Sequence, residues 1–463
     1  MRRSLKSCVV AGSEVDREPE RARFRRFLTS VCILAAVTQI STAFAAGNTQ
    51  SEPWTLPRLV AYALGNNMGL EAARLFNDVA REDVSVAEGQ QLPRLDVVSD
   101  LLAFPLNERL LIERHGFRPR SNPFEDVILN YGLRASMPLY TGGRIEKEIA
   151  LAEAAAAASR ARADLTQQGL IFNVTSGYYT YLRLDTVIEA GEGLVRSVKE
   201  SRRIAQKRLD TGRAAPLDLL RLDTRLSSAE SQLRVARNGL ERTVATLTAL
   251  LALPPGTPLT VAGELRAADA PWDAETARQT ALSERPDLIA LRREVDAQRR
   301  RVGIAKSRML PSIDASAYYG GATGNSGTST DDAKIFIFFR YPLYSGGELS
   351  AAKRREAAKL MQLMARLDAQ ERDALAEVDQ FLVELSSTRA RLVAGRRAII
   401  QADEALRVER QKFSGGRGTS NDLLLAEEAL LRAKTEVAAI KADSQIAVAA
   451  LRLATGQLRA PVE

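Results

Sequence analysis

Asp218 and Asp422 occupy matching contexts, TGRAAPLDLL at 211–220 and GGRGTSNDLL at 415–424, each six residues after a glycine, Gly212 or Gly416. A carboxylate so placed supports two kinds of chemistry. Gathered with copies of itself around a narrow water-filled bore, it concentrates cations and repels anions. At the start of a helix it accepts hydrogen bonds from the first free backbone N–H groups. The two roles are compatible, and both stay open. Arg213 and Arg417, each next to its glycine, carry charge able to pair with the aspartates or with a partner's groups. Catalysis has less to stand on. The single histidine, His115, has no cysteine or second histidine to complete a metal site, and acidic pairs such as Glu427–Glu428 and Asp331–Asp332 read as solvated surface. Neither a phosphate-cradling glycine loop nor a nucleophile elbow occurs. The expectation is a chain that is not an enzyme and holds no cofactor or metal.

Those aspartates are carried on a duplicated chain. From Pro138 to about Ala252 each residue has a partner 204 positions later; before that the offset is 218, as LPRLD at 92–96 matches LPSID at 310–314. The difference places 14 extra residues in the first copy, between its LP and PLY motifs. Each copy reads as helix, hairpin, very long helix, turn, helix. The expected boundaries are 46–260, with hairpin 95–140 and helices 144–211 and 216–252, and 261–463, with hairpin 312–344 and helices 348–413 and 421–455. Helices that long, roughly 100 Å at 1.5 Å per residue, do not fit a globular domain and call for a coiled-coil framework. The returning helices supply its seam: Leu219, Leu222, Leu226, Ala229 and Leu233 follow 3,4 spacing, as do Leu423, Ala426, Leu430, Ala433 and Val437. Taken alone, these helices fit an ordinary bundle or coiled coil equally well.

Residues 1–45 read as a secretory leader. A basic stretch, RARFRRF, precedes an apolar run and a small-residue cleavage pattern around Ala43 and Ala45; a retained anchor is the alternative. The leader holds both cysteines, Cys8 and Cys32, and half of the formal charge of +8, so the basic balance is partly its own. No basic patch with interleaved aromatics points to nucleic acid.

The hairpins alternate strictly. Val127, Leu129, Tyr131, Leu133, Ala135 and Met137 fall on one face of a strand, and Ile335, Ile337, Phe339 and Tyr341 on one face of another. Such strands, of about ten residues, suit a transmembrane β-barrel, although a half-buried soluble sheet alternates in the same way. Four strands, near 95–104, 124–140, 312–321 and 333–344, cannot close a barrel, and an open edge in lipid leaves backbone groups unpaired. Strands that enter a membrane must therefore be shared between subunits. PLYTGG at 138–143 and PLYSGG at 342–347 mark where the period of two gives way to the helical period. Pro138 and Pro342 can end strand pairing, Tyr140 and Tyr344 suit a membrane interface, and Gly142, Gly143, Gly346 and Gly347 allow the swing into a helix.

Together the duplication, the LP…PLY[ST]GG junctions, the long and short helices and the paired Gly-to-Asp turns resemble the TolC-type outer membrane efflux protein family over essentially the whole chain after the leader. The resemblance implies a mainly α protein with a β membrane part: a homotrimer whose long coiled-coil helices form an α-helical barrel continuous with a shared 12-stranded transmembrane β-barrel, four strands per chain. It implies an outer-membrane location in a Gram-negative bacterium, with a periplasmic tunnel. The role implied is an exit duct working with a periplasmic adaptor and an inner-membrane transporter, in efflux or type I secretion. Asp218 and Asp422 would line the periplasmic gate, and Gly212, Arg213, Gly416 and Arg417 would face the adaptor. A second acidic ring, present in some members, would fall at Arg221 and Leu425, which are not acidic, so a hydrophobic or mixed constriction is expected. The rival reading is a periplasmic coiled-coil adaptor or scaffold that never enters the membrane, which leaves the alternating aromatic strands poorly explained.

Overall fold

The computed structural model describes residues 53–103, 127–212, 215–268, 272–324, 327 and 329–461. The leader, His115 and Arg213 lie outside these residues. In chain order the elements are α1 (Leu56–Asn66), α2 (Met68–Gly89), β1 (Arg94–Ala103), β2 (Val127–Tyr140), α3 (Arg144–Asp210), α4 (Pro216–Leu250), α5 (Ala274–Glu284), α6 (Pro286–Ser307), β3 (Ser312–Gly324), β4 (Ser329–Arg340), α7 (Glu348–Ser414) and α8 (Ser420–Ala454).

Where a single helix is expected before each hairpin, there are two. Asn67 interrupts the first pair in an extended conformation: its side chain accepts from Leu70 N–H at 3.0 Å, capping α2, and its amide donates to the Leu250 carbonyl at 2.9 Å. In the second copy Arg285 makes the break and Pro286 opens α6, where a missing N–H costs nothing.

The two 67-residue helices, α3 and α7, form the frame. α4 packs back along α3, α8 along both α7 and α3, and α6 lies between α3 and α7. Midway along the frame Leu59, Val60, Ile171, Val174, Leu247 and Leu251 are fully or almost fully buried. Nearer the helix tips, Val198, Leu222, Leu406, Phe413, Leu423 and Leu430 form a second core, the seam anticipated from the 3,4 spacing. A parallel bridge between Trp54 and Val261 ties the start of the described chain to the segment joining the two copies.

The four strands form one antiparallel sheet in the order β1-β2-β3-β4. Arg94 pairs with Ser136 in the first hairpin and Ser312 with Arg340 in the second. Adding 218 to β1 numbers and 204 to β2 numbers converts one register into the other residue for residue. The sheet has two distinct faces. One carries Leu95, Val97, Leu101, Leu133, Ile335 and Ile337, all exposed large apolar side chains. The other carries Arg94, Asp96, Asp100, Asn130, Arg134 and Asp314. At its centre Gly132 faces Gly320 so closely that a Cβ on Gly132 would stand 2.8 Å from the Gly320 Cα, and the Tyr318 ring covers the gap while its hydroxyl donates to the Tyr131 carbonyl at 3.2 Å.

Pro138 does not end its strand. It lies inside β2 opposite Asp314, and the register shifts between Pro138 and Tyr140, so a bulge absorbs the missing donor. Pro342 lies beyond β4, which stops at Arg340 rather than running to Tyr344, and the strand begins earlier, at Ser329.

Candidate functional site

The α3–α4 and α7–α8 turns bring the two aspartates to one end of the frame. Each is the third residue of its helix, so neither is the cap. Ala215 and Thr419 hold the cap positions. In the second copy Thr419 and Asp422 bond reciprocally: the Thr419 hydroxyl donates to Asp422 Oδ2 at 2.8 Å, and Asp422 N–H donates back to Thr419 Oγ1 at 3.1 Å. Ala215 offers no such oxygen, and the half-buried Asp218 instead accepts from Ser420 Oγ at 2.6 Å, across the two copies. A second link joins the tips, as the Arg208 guanidinium donates to the Ser414 carbonyl at 2.8 Å and lies 5.1 Å from the Phe413 ring centre.

Gly212 and Gly416 adopt φ of +69° and +78°, the left-handed conformation that ends each long helix. Arg417 is exposed and pairs with neither aspartate. Asp422 itself is exposed, and one turn further on so are Leu425, at 59%, and Arg221. Leu217 and Leu220 are also exposed, so the rim mixes carboxylate, guanidinium and leucine.

One ionisable group escaped the sequence reading. Glu427 is 2% exposed, not solvated. Its carboxylate accepts from Ser197 Oγ on α3, Arg410 of α7 stands 3.9 Å away, and Oε2 has no partner. Arg225 of α4 adds a further charge. Burial pushes the Glu427 carboxyl above the usual carboxylate range, against the opposing pull of Ser197 and the two arginines. Its place four residues after Leu423 and three before Leu430, on the apolar stripe, is the signal that could have revealed it.

At the other end, the two junctions differ. Gly142 is buried, and a Cβ there would stand 2.7 Å from Leu310 Cβ in the α6–β3 turn; Lys147 Nζ fastens the same corner, donating to the Gly143 carbonyl and Ser307 Oγ at 2.8 Å each. Nothing lies within 4 Å of the equivalent point on Gly346 or on Gly347, and Tyr344 is 90% exposed. Among the described residues no helix is long and apolar enough to cross a membrane, and no cluster of three His, Cys, Asp or Glu could hold a metal.

Comparison with known proteins agrees with this architecture. The family described as Outer membrane efflux protein matches residues 59–253 and 277–457. The outer membrane efflux protein BepC of Brucella suis is 24% identical over 92% of this chain and 90% of its own length. The alkaline protease secretion protein AprF of Pseudomonas aeruginosa is 28% identical over 63% of this chain and 62% of its own. Among solved structures, the outer membrane protein VceC of Vibrio cholerae superimposes with a TM-score of 0.76 at 19% identity, covering 87% of this chain and 96% of that one. With both halves of the duplicated frame matched, the chain belongs to the outer membrane efflux protein family.

Proposed function

We propose that three copies of this chain close into one outer-membrane exit duct, a 12-stranded barrel continuous with a periplasmic tunnel, which passively conducts cargo received from a periplasmic adaptor and an inner-membrane transporter. The relatives named as an outer membrane efflux protein and an alkaline protease secretion protein support a role in efflux or secretion. The polar sheet face lines the bore and the apolar face meets lipid. Residues 1–45 serve as the leader, and 46–260 and 261–463 are the two repeats. Asp218, Asp422, Leu425 and Arg221 form the gate, Gly212, Arg213, Gly416 and Arg417 face the adaptor, and the two PLY[ST]GG corners join barrel to tunnel. The chain itself is not an enzyme, so energy comes from the transporter.

The observation that carries this reading is a mismatch in burial between the repeats. In the second copy α6 is covered on both flanks, by α3 and α7, and buries Ala297 and Ile304; Glu294 pairs with Arg162 of α3. Their equivalents on α2, 218 positions earlier, are Phe76, Val79 and Val86, which are 60%, 56% and 68% exposed because α2 has α3 on one flank only. Likewise Ala158 and Ala161 are buried on α3, whereas Gln362 and Ala365, 204 positions later on α7, are exposed, together with the neighbouring Met361 and Met364. Gly142 and Gly346 repeat the contrast. Each bare surface is complementary to the other, so α2 of one copy completes α7 of the next and the chain propagates head to tail into a ring.

Fractionation tests this. The chain should be released with outer-membrane markers by detergent alone, and cysteines at Val79 and Gln362 should cross-link between copies up to three chains. Release in an aqueous periplasmic extract, or Val79–Gln362 links only within single chains, would refute it.

A further inference from the structure

The bore-facing side of the sheet contains an anomaly. Phe336 and Phe338 project from β4 on that polar face, opposite Ser316 and Asp314, with ring centres 5.7 Å apart and planes 25° from parallel. They are 41% and 56% exposed, and on β1, at the opposite edge, Leu102 is 44% exposed on the same face. Lipid cannot cover these side chains, because the lipid-facing positions are the alternate ones, Ile335, Ile337 and Phe339. Three large apolar groups facing water along two open edges need another occupant.

The duplication identifies it. Because the two hairpins share one register under the 218 and 204 offsets, the β2–β3 pairing inside the chain is a template for the β4–β1 pairing between chains. Within the chain Gly132 faces Gly320, Leu133 faces Tyr319 and Arg134 faces Tyr318. The same offsets carry these pairs to Phe336 opposite Leu102, Ile337 opposite Leu101 and Phe338 opposite Asp100. The pleat agrees: Leu101 and Ile337 both lie on the apolar face, and Leu102 and Phe336 on the polar one. At the pseudo-equivalent place inside the chain, Gly132 and Gly320 leave a gap that Tyr318 covers; between chains large side chains fill it.

We propose that β4 of one copy pairs with β1 of the next in this register, and that Phe336 and Phe338 fold over Leu102 of the neighbour as an apolar clasp sealing the barrel seam from inside. This rests on the ring reading given under Proposed function and specifies its strand contact. The clasp keeps water off the backbone hydrogen bonds that cross the seam, the one place where the barrel is not covalently continuous.

The test uses the full chain in outer membranes, with native gel electrophoresis as an independent measure of trimer. The pair Phe336→Cys with Leu102→Cys should give, with a short thiol cross-linker, a ladder ending at three chains. Phe336→Cys with Val98→Cys, four residues along the same face and roughly 13 Å away, should not. A native trimer that links 336 to 98 and not to 102 overturns the register while leaving the ring intact; absence of trimer from the uncross-linked protein overturns both. Replacing Phe336 and Phe338 by serine should lower the temperature at which detergent dissociates the trimer, whereas unchanged dissociation would overturn the clasp even if the register holds.

Discussion

Glu356, in the third turn of α7 below the sheet, fastens α6 to α7 through a carboxylate that must stay charged. The residue is 8% exposed; Gln298 donates to Oε2 at 2.9 Å, and Lys359 and Arg355 donate to Oε1 at 3.0 Å each. The Gln298 hydrogen bond first, then Lys359 and Arg355, hold its pKa down to about 2 from an ordinary 4.5. A pKa depressed by folding contributes stability that is complete above 4.5 and is lost as pH falls towards 2. At about 1.4 kcal/mol per pH unit the shift corresponds to at most about 3.5 kcal/mol. Arg355 and Lys359 are more than half exposed, so solvent screening reduces this to about 1.5 kcal/mol. At pH 3 only about two-fifths of that remains, from the same linkage relation. Glu356→Gln should therefore melt below the parent chain at pH 7, in thermal unfolding of the detergent-solubilised protein, and the gap should shrink by more than half at pH 3. A gap that is equal at both pH values, or wider at pH 3, would show that the carboxylate's charge does not fasten these helices.

Glu427 should behave in the opposite sense. Its pKa is raised by burial, so its ionisation costs stability as pH rises; Glu427→Gln should melt above the parent chain at pH 8 and lose that advantage towards pH 4. A variant weaker at pH 8 would mean that Arg410 and Arg225 need the charge. At the tips, Asp422→Asn keeps an acceptor for the Thr419 hydroxyl and removes the charge. Cation over anion permeability in planar-bilayer recordings should fall, and unaltered selectivity would remove Asp422 from the gate.

Long-range organisation was legible in the sequence because repetition and periodicity are properties of residue order. The 204 and 218 offsets located both hairpins and both long helices, and the 3,4 spacing located Leu423 and Leu430 in the tip core. Details set by one neighbour were not. Pro138 remains in its strand because a bulge takes up the missing donor, which only the partner strand reveals. Asp218 and Asp422 each stand six residues after a glycine, yet Asp422 bonds within its own turn and Asp218 across to Ser420, since Thr419 carries a hydroxyl that Ala215 lacks. Glu427 looked like half of a solvated pair because charge outweighed its position on the stripe.

The shared register of the hairpins also separates two kinds of freedom in this chain. All 14 residues by which the first hairpin exceeds the second fall beyond the last common strand pair, between Ala103 and Val127. Strand phase is thus fixed from the tunnel end, and length accumulates only at the far end. Residues can therefore be added to or removed from that connection without shifting the strand register or the long helices that follow it.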